Sequence, residues 1–442
     1  MPFRFSLHAR GVAQRAGWSV VDQCLSAVSN VVLSILVART GDANAFGAFA
    51  VAFLVFSLLV AFTRATVGQP LQITFSSSPA HEFRGAVRSA LGASLLIAVA
   101  AGVISLIVGA LIGGATGNAL TVLAFCLPGL LLQDTARMAF FSSGRADRAA
   151  ATDGLWAVVQ FAALAIVLAE HMHDVRVPIA AWGGGSLIAA VASMRMLRCS
   201  PRLRGALTWY LGQRHLTGYL LAEYVLGQGL GQVGILMVGV LGSTAGVGAL
   251  RAAQVLLGPL GILGTAAFMF AVPEVARRPR MAARERGRFM LGISTAMAAV
   301  TAVYAAAILL IPEPVGEHLF GDTWRGAESV LLPMCVLSLA AALATGPAAT
   351  LYGMGLARTT FRINIAKAPL LAVLLLVGIT MAEAEGAAWA IAATEVVVVP
   401  LWFFRVRRAI RAAASAAPQV PAQPDGERTD SVAAPPRLDS PL

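Results

Sequence analysis

The stretch GWSVVDQCLSAVSNVVLSILV, residues 17–37, decides the fold. Its apolar length matches the roughly 20 residues that a helix needs to cross the hydrocarbon core of a bilayer. It nevertheless carries a carboxylate at Asp22. On a helical wheel, Ser19, Asp22, Ser26, Ser29 and Asn30 fall in one sector. A polar stripe on a membrane helix has to face protein or water, because lipid offers its hydrogen-bonding groups no partner. The stripe returns, weaker, 201 residues later: Asp22 maps onto Glu223, and Gly47 onto Gly248.

Composition points the same way. Of 442 residues, 58% are hydrophobic and only 12% charged, against about 25% charged in a soluble domain. Twelve spans are predicted: 17–37, 45–64, 88–112, 119–141, 150–169, 177–197, 217–241, 247–272, 289–311, 327–351, 366–382 and 386–404. The basic N-terminus followed by an apolar run resembles a signal peptide, but the run is too long and lacks a small-residue cleavage pattern, so it reads as the first span.

The basic residues then set the orientation. Arg84, Arg88, Arg145 and Arg148, the run from Arg195 to Arg214, the cluster from Arg277 to Arg288, then Arg358, Arg362 and Lys367, and Arg405 to Arg411 all fall on one side. The opposite loops hold only Arg39, Arg176 and Arg325, amid acids such as Asp42, Asp174 and Glu317. This positive-inside asymmetry places both termini in the cytoplasm. It also explains the net charge of +11 as a topology signal, so no nucleic-acid partner is expected.

The expected architecture is therefore an all-α integral membrane protein. Residues 1–197 form an N-terminal six-helix bundle, 198–216 a basic amphipathic linker on the inner surface, 217–411 a C-terminal six-helix bundle, and 412–442 a proline-rich disordered tail. Six is even, so the halves run in the same sense and relate by an axis along the membrane normal, with a central cavity between them. Later matches are looser: Leu127-Pro128 resembles Leu332-Pro333, and Asp153 falls on Asn364 when Gly144 is set on Gly355. Pro128, Pro259 and Pro333 would bend their helices.

Polar residues inside spans are the functional candidates. Asp22, Ser26, Asn30, Arg64, Asp134, Arg137, Glu223 and Arg251 are assigned to a substrate cavity, and Asp22 and Glu395 to ion coupling. Each has a plainer reading. Asp22 can pair with Arg64 at similar depth, and Asp134 can be neutralised by Arg137 one turn on. Arg64 and Arg251 can snorkel to the interface, and Asp153 can cap a helix. On the seventh span, Gly227, Gly231 and Gly234 share a face with Glu223 and suit close packing as well as a cavity wall. Glu395, the deepest acid, has no basic residue in its own span and is a candidate proton site. The four cysteines are scattered, and no triad, phosphate-binding loop or metal-ligand cluster is present, so neither enzyme, metal nor cofactor is expected.

At this point the chain resembles the multidrug/oligosaccharidyl-lipid/polysaccharide (MOP) exporter superfamily, and within it the Wzx-type polysaccharide flippases. The resemblance rests on Leu36-Val37-Ala38-Arg39 before Phe46-Gly47, on Leu127-Pro128-Gly129 through Gln133-Asp134 to Arg137, and on Gly144-Arg145. The second half adds Gly248 to Gln254, Pro273-Glu274-Val275-Ala276-Arg277 and Gly321-Asp322-Thr323-Trp324. It covers residues 12–411 and departs at Thr40-Gly41-Asp42-Ala43, where the family usually shows a Leu-Gly-Pro-like turn. What it implies is alternating access in a bacterial inner membrane, moving a polyprenyl-diphosphate-linked oligosaccharide, with H+ or Na+ as coupling ion and membrane lipids around it. Arg64 and Arg251 would then meet phosphate, which arginine forks match well. The rivals are an ion-coupled drug or small-molecule exporter of the same fold, and a polymerase or non-transporting component of a glycan-assembly system. The short outer loops disfavour the polymerase.

Overall fold

Two long helices begin 201 residues apart at the centre of the molecule: Ala43–Phe75, 33 residues, and Thr244–Arg277, 34 residues. Each starts on a side-chain cap. The Asp42 carboxylate accepts from the Ala45 N–H at 2.7 Å, and the Ser243 hydroxyl oxygen accepts from the Gly246 N–H at 3.1 Å. Such caps satisfy orphan donors of the first turn. Asp42 and Ser243 are themselves 201 residues apart. The outer turn where the chain departs from the family pattern is thus a working helix start.

The computed structural model describes residues 18, 21–22, 25–39, 41–76, 78–170, 174–225, 229–278 and 281–415. We label its helices α1 (Leu25–Arg39) and α2 (Ala43–Phe75), then α3 (Ala80–Ile112), α4 (Gly114–Ser142), α5 (Ala146–Ala169), α6 (Arg176–Leu197) and the short α7 (Ala206–Gly212). The second half holds α8 (Arg214–Tyr224), α9 (Leu230–Leu241), α10 (Thr244–Arg277), α11 (Ala283–Leu309), the short α12 (Glu313–Phe320), α13 (Thr323–Gly353) and α14 (Ala357–Ser415). The seventh predicted span is α8 plus α9. The last two are the arms of α14, which reverses at Ala382 and Glu383, the latter at φ 43°. Gly378 and Gly386 let the arms touch: a Cβ on Gly386 would lie 1.9 Å from the Gly378 carbonyl oxygen. Ser243 donates to Glu383 at 3.1 Å and ties this hairpin to the start of α10.

The repeat is visible in the backbone. Gly144 and Gly355 close equivalent turns with φ of +70° and +74°, a conformation open to glycine without strain. These two lie 211 residues apart, not 201, because the second half inserts α12 between its third and fourth spans. Trp324, 1% exposed, packs flat on Gly316 of that insert. The lobes meet along α2 and α10, where Gly47 faces Thr244 and Gly248 lies against Gly47. A residue can touch its own repeat partner only near the axis relating them, so the pseudo-two-fold passes through this seam.

Apolar residues such as Leu111, Phe125, Val303 and Met381 are more than 70% exposed, which is the lipid-facing surface expected of a multi-pass membrane protein. The linker forms α7, whose Ala206 is buried while Leu207 and Leu211 are exposed. It docks on the end of α3 through Arg202 N–H donating to the Arg88 carbonyl at 2.9 Å, with Trp209 beside Phe75. The proline-rich residues 416–442 lie outside the described residues, after a last helix that runs to Ser415.

Candidate functional site

The N-terminal lobe buries a charge network around one guanidinium. Arg137, on α4, donates through its Nε to Asp22 at 3.0 Å and makes a second, shorter contact from Nη2 to the same carboxylate oxygen. Its Nε also lies 3.2 Å from Asp153 Oδ2. The partners are deeply buried: Asp22 is 0% exposed, and the Arg137 side chain 7%. Beside them, Arg64 grips both oxygens of Asp134 at 2.5–3.0 Å. Gln133 closes the cluster by donating to Thr152 at 3.2 Å and Asp153 at 3.1 Å, while Ser193 donates to Gln133 at 2.8 Å. A carboxylate or guanidinium removed from water needs such pairing, or its desolvation cost stands uncompensated.

These contacts correct three expectations. Asp22 pairs with Arg137, not with Arg64. Asp134 takes Arg64 as its close partner, and its contact with Arg137 one turn away is only 3.9 Å. Asp153 is no helix cap; it is 6% exposed and part of the network. The reason is shared. Spacing along one helix shows which charges can meet within it, whereas α2, α4 and α5 approach closely enough to exchange partners. A π-turn over Arg64–Gly68 helps, since its extra residue re-aims α2 where it faces α4.

Three carboxylates, Asp22, Asp134 and Asp153, face two guanidinium groups, Arg64 and Arg137. Fully ionised, the cluster carries one excess negative charge, and Asp22 Oδ1 is buried without a hydrogen-bond partner. The network forms one wall of a cavity of about 280 Å³. Ser26, Ser29 and Asn30 of the helix 1 stripe line it, with Phe53, Phe56, Trp156 and Trp182 opposite. Gln160 donates to Ser29 at 3.4 Å. The aromatic residues and Gln160 are not distinguished in the sequence, since single apolar or amide residues within spans carry no signal there; Gln133 is marked only by its place beside Asp134.

The C-terminal lobe is different. Arg251 of α10 reaches across the seam, donating to Ser34 of α1 at 3.3 Å, with its guanidinium carbon 3.8 Å from the centre of the Phe53 ring. It has no carboxylate partner among the described residues, and its Nε is buried without a hydrogen bond. It lines a narrow interlobe cleft of about 40 Å³ with Ser57, Gln232 and Gln254. Deeper in the lobe, Glu395 meets Lys367 Nζ at 2.5 Å. The span of Glu395 itself holds no basic residue, as the sequence shows; the partner comes from the other arm of α14, where Lys367 is buried and is not one of the loop charges. This pair lines a cavity of about 220 Å³. Gly234 packs against Leu375, whereas Gly231 lines the cavity, so the glycine face serves both purposes. Glu223 lies on α8, and its side chain lies outside the described ones. Among the described residues, no group of three metal-ligating side chains occurs.

No family model matches this sequence, and no curated protein sequence matches it. In three dimensions the chain is similar to the lipid II flippase MurJ in an inward closed conformation, with a TM-score of 0.71 at 10% identity over 90% of each chain. It is similar to a multidrug resistance MATE-family transporter of the MOP superfamily in an inward-facing conformation, with a TM-score of 0.69 at 14% identity over 90% of this chain and 100% of that one. For an outward-facing conformation of such a transporter the TM-score is 0.62 at 14% identity, over 91% and 96% of the chains. The fold is that of the MOP transporters, two six-helix lobes about a central axis. The sealed seam at Gly47 and Gly248, on the side that the arginines assign to the exterior, agrees with the better fit to the inward-facing form.

Proposed function

We propose that this protein is a flippase that moves a polyprenyl-diphosphate-linked oligosaccharide across the bacterial inner membrane by alternating access of its two lobes. The observation that carries the reading is Arg251. A guanidinium between the lobes, with no carboxylate partner among the described residues and a buried unbonded Nε, is a standing demand for an anion. A diphosphate meets that demand with paired oxygens. Arg64, whose side chain is 40% exposed to the N-lobe cavity, is the second cation on the route. The excess negative charge of the Asp22–Asp134–Asp153 cluster suits uptake of H+ or Na+ as the coupling step. The gap between lobes leaves the lipid tail in the bilayer while the headgroup crosses.

In proteoliposomes, a fluorescent short-chain isoprenyl-diphosphate oligosaccharide should become accessible to a membrane-impermeant quencher, and Arg251→Ala should slow this by at least about tenfold, the loss of one charge-assisted contact. Equal rates in the variant would remove the phosphate role. A second reading, export of small organic cations, draws on the aromatic N-lobe cavity with its excess carboxylate. Proton- or sodium-driven export of an aromatic cation, with no movement of the lipid diphosphate, would select it.

A further inference from the structure

Lys367 is the only lysine in a chain with 33 basic residues. The other 32 are arginine, and most of them lie in loops and helix ends. The one ammonium is instead 11% exposed, inside the C-terminal lobe, against the deepest acid of the sequence. An ammonium is a compact point charge with three donors, able to change partners by a small rotation, whereas a guanidinium fork locks onto a carboxylate. The Lys367–Glu395 contact is also single: Nζ to Oε1 is the only close contact between them. It faces open space, since both residues line the 220 Å³ C-lobe cavity.

That cavity adjoins the cleft holding Arg251. Gln232, Gln254 and Ile235 line both. The two amides form no hydrogen bond among the described residues, so each offers a free donor and acceptor to whatever enters. A track of polar groups therefore follows the shared lining, from a guanidinium with no carboxylate partner among the described residues, past two amides without hydrogen bonds there, to an ammonium held by one carboxylate oxygen.

We propose that this track is a headgroup subsite for a cargo with two separated acidic groups and hydroxyls between or beside them, and that Lys367 is its second anion site, guarded by Glu395. The inference rests on the flippase reading and extends it by giving the C-terminal lobe a binding role. Cargo phosphate or carboxylate displaces Glu395 from Lys367; no covalent bond changes. Glu395 is then left without its partner, a cost that only a charged ligand outweighs. Neutral lipids and singly charged ligands satisfied at Arg251 alone leave the pair closed. Glu395 thus acts as an internal competitor that sets selectivity, in place of the proton site its sequence position suggested.

The test is equilibrium binding of farnesyl-diphosphate-linked glucuronic acid, which carries a diphosphate, sugar hydroxyls and a separate carboxylate, to the full-length detergent-solubilised protein, with farnesol as the uncharged control. Glu395→Gln removes the competitor while keeping shape, so it should tighten diphosphate binding by about tenfold and leave farnesol unchanged. Lys367→Gln should weaken diphosphate binding by about tenfold, and Lys367→Arg should restore part of it. A gain in affinity cannot come from misfolding, so Glu395→Gln decides the matter even where Lys367→Gln folds poorly. Weaker or unchanged binding in Glu395→Gln, with Arg251→Gln still abolishing binding, overturns the Lys367 subsite and leaves the flippase reading standing. Absence of diphosphate binding in the wild type, with Arg251→Gln indistinguishable from it, overturns both.

Discussion

The two lobes share a backbone and almost none of its charges. In the N-terminal lobe, Asp134, Arg137 and Asp153 anchor a buried network. At the offset of 211 that relates Gly144 to Gly355, these positions become Thr345, Ala348 and Asn364. Among the described residues, the C-terminal lobe has one ion pair with both side chains largely buried, Lys367–Glu395, at positions where the N-terminal lobe has Trp156 and Gly184. Equivalent helices thus carry different chemistry, and the difference sorts by surroundings. The N-lobe charges are knitted to one another, so they hold helices together. Charges line cavities in both lobes, but among the described residues the C-lobe cations Arg251 and Lys367 have no carboxylate partner or only one, so they are the more available to ligands.

This contrast can be broken most sharply at Arg137. Arg137→Gln strands Asp22 and Asp153 in a buried site, and loss of one partner from such a cluster costs about 3–5 kcal/mol. Thermal unfolding in detergent should show a large drop, while Lys367→Gln, at the edge of an open cavity, should show a much smaller one. Equal losses would mean that the lobes are not divided in this way. Next is the seam. A Cβ on Gly47 would lie 2.0 Å from the Thr244 carbonyl oxygen, so Gly47→Leu forces the outer ends of α2 and α10 apart at about 1–3 kcal/mol. A thiol introduced by Ser57→Cys should then react faster with an impermeant reagent added from outside; an unchanged rate would count against a seam that closes this side of the molecule.

Arg251→Gln is expected to change stability by less than about 1 kcal/mol, because no carboxylate is orphaned, while cutting lipid-diphosphate movement. A parallel fall in stability and transport would put Arg251 with the structural charges. The smallest effect is at the caps. Ser243→Ala and Asp42→Ala should each cost about 1 kcal/mol, measured as paired shifts in unfolding temperature. The Ser243 loss should be the larger, since its hydroxyl also holds Glu383.

Much of this was legible in the sequence. Apolar runs and loop arginines gave the span count, and the offset of 201 at Asp22/Glu223 and Gly47/Gly248 reappears in the caps that start α2 and α10. Helix ends were less so. Hydropathy stops at Arg64, whereas the helix continues through a π-turn to Phe75, because backbone hydrogen bonding persists after the apolar run ends. Partners were the least legible. Asp22 and Arg137 are 115 residues apart, and Lys367 and Glu395 28. A periodic pattern gives a residue's depth and face but not the helix packed against it. Asp153 illustrates the limit: its depth suggested a cap, and only the packing of α5 on α4 shows it meeting Arg137.

The Gly47–Gly248 seam also bears on how such a chain arises. Two copies of a six-span unit, inserted in the same orientation, would meet face to face through the same surface on each, as in any two-fold dimer. The seam retains that self-matching geometry within a single polypeptide, with α7 and its flanking residues as the only covalent join. Fusion freed each copy to change alone. One half could then commit its charges to holding itself together while the other kept an unpaired arginine, a division of labour closed to a dimer of identical chains.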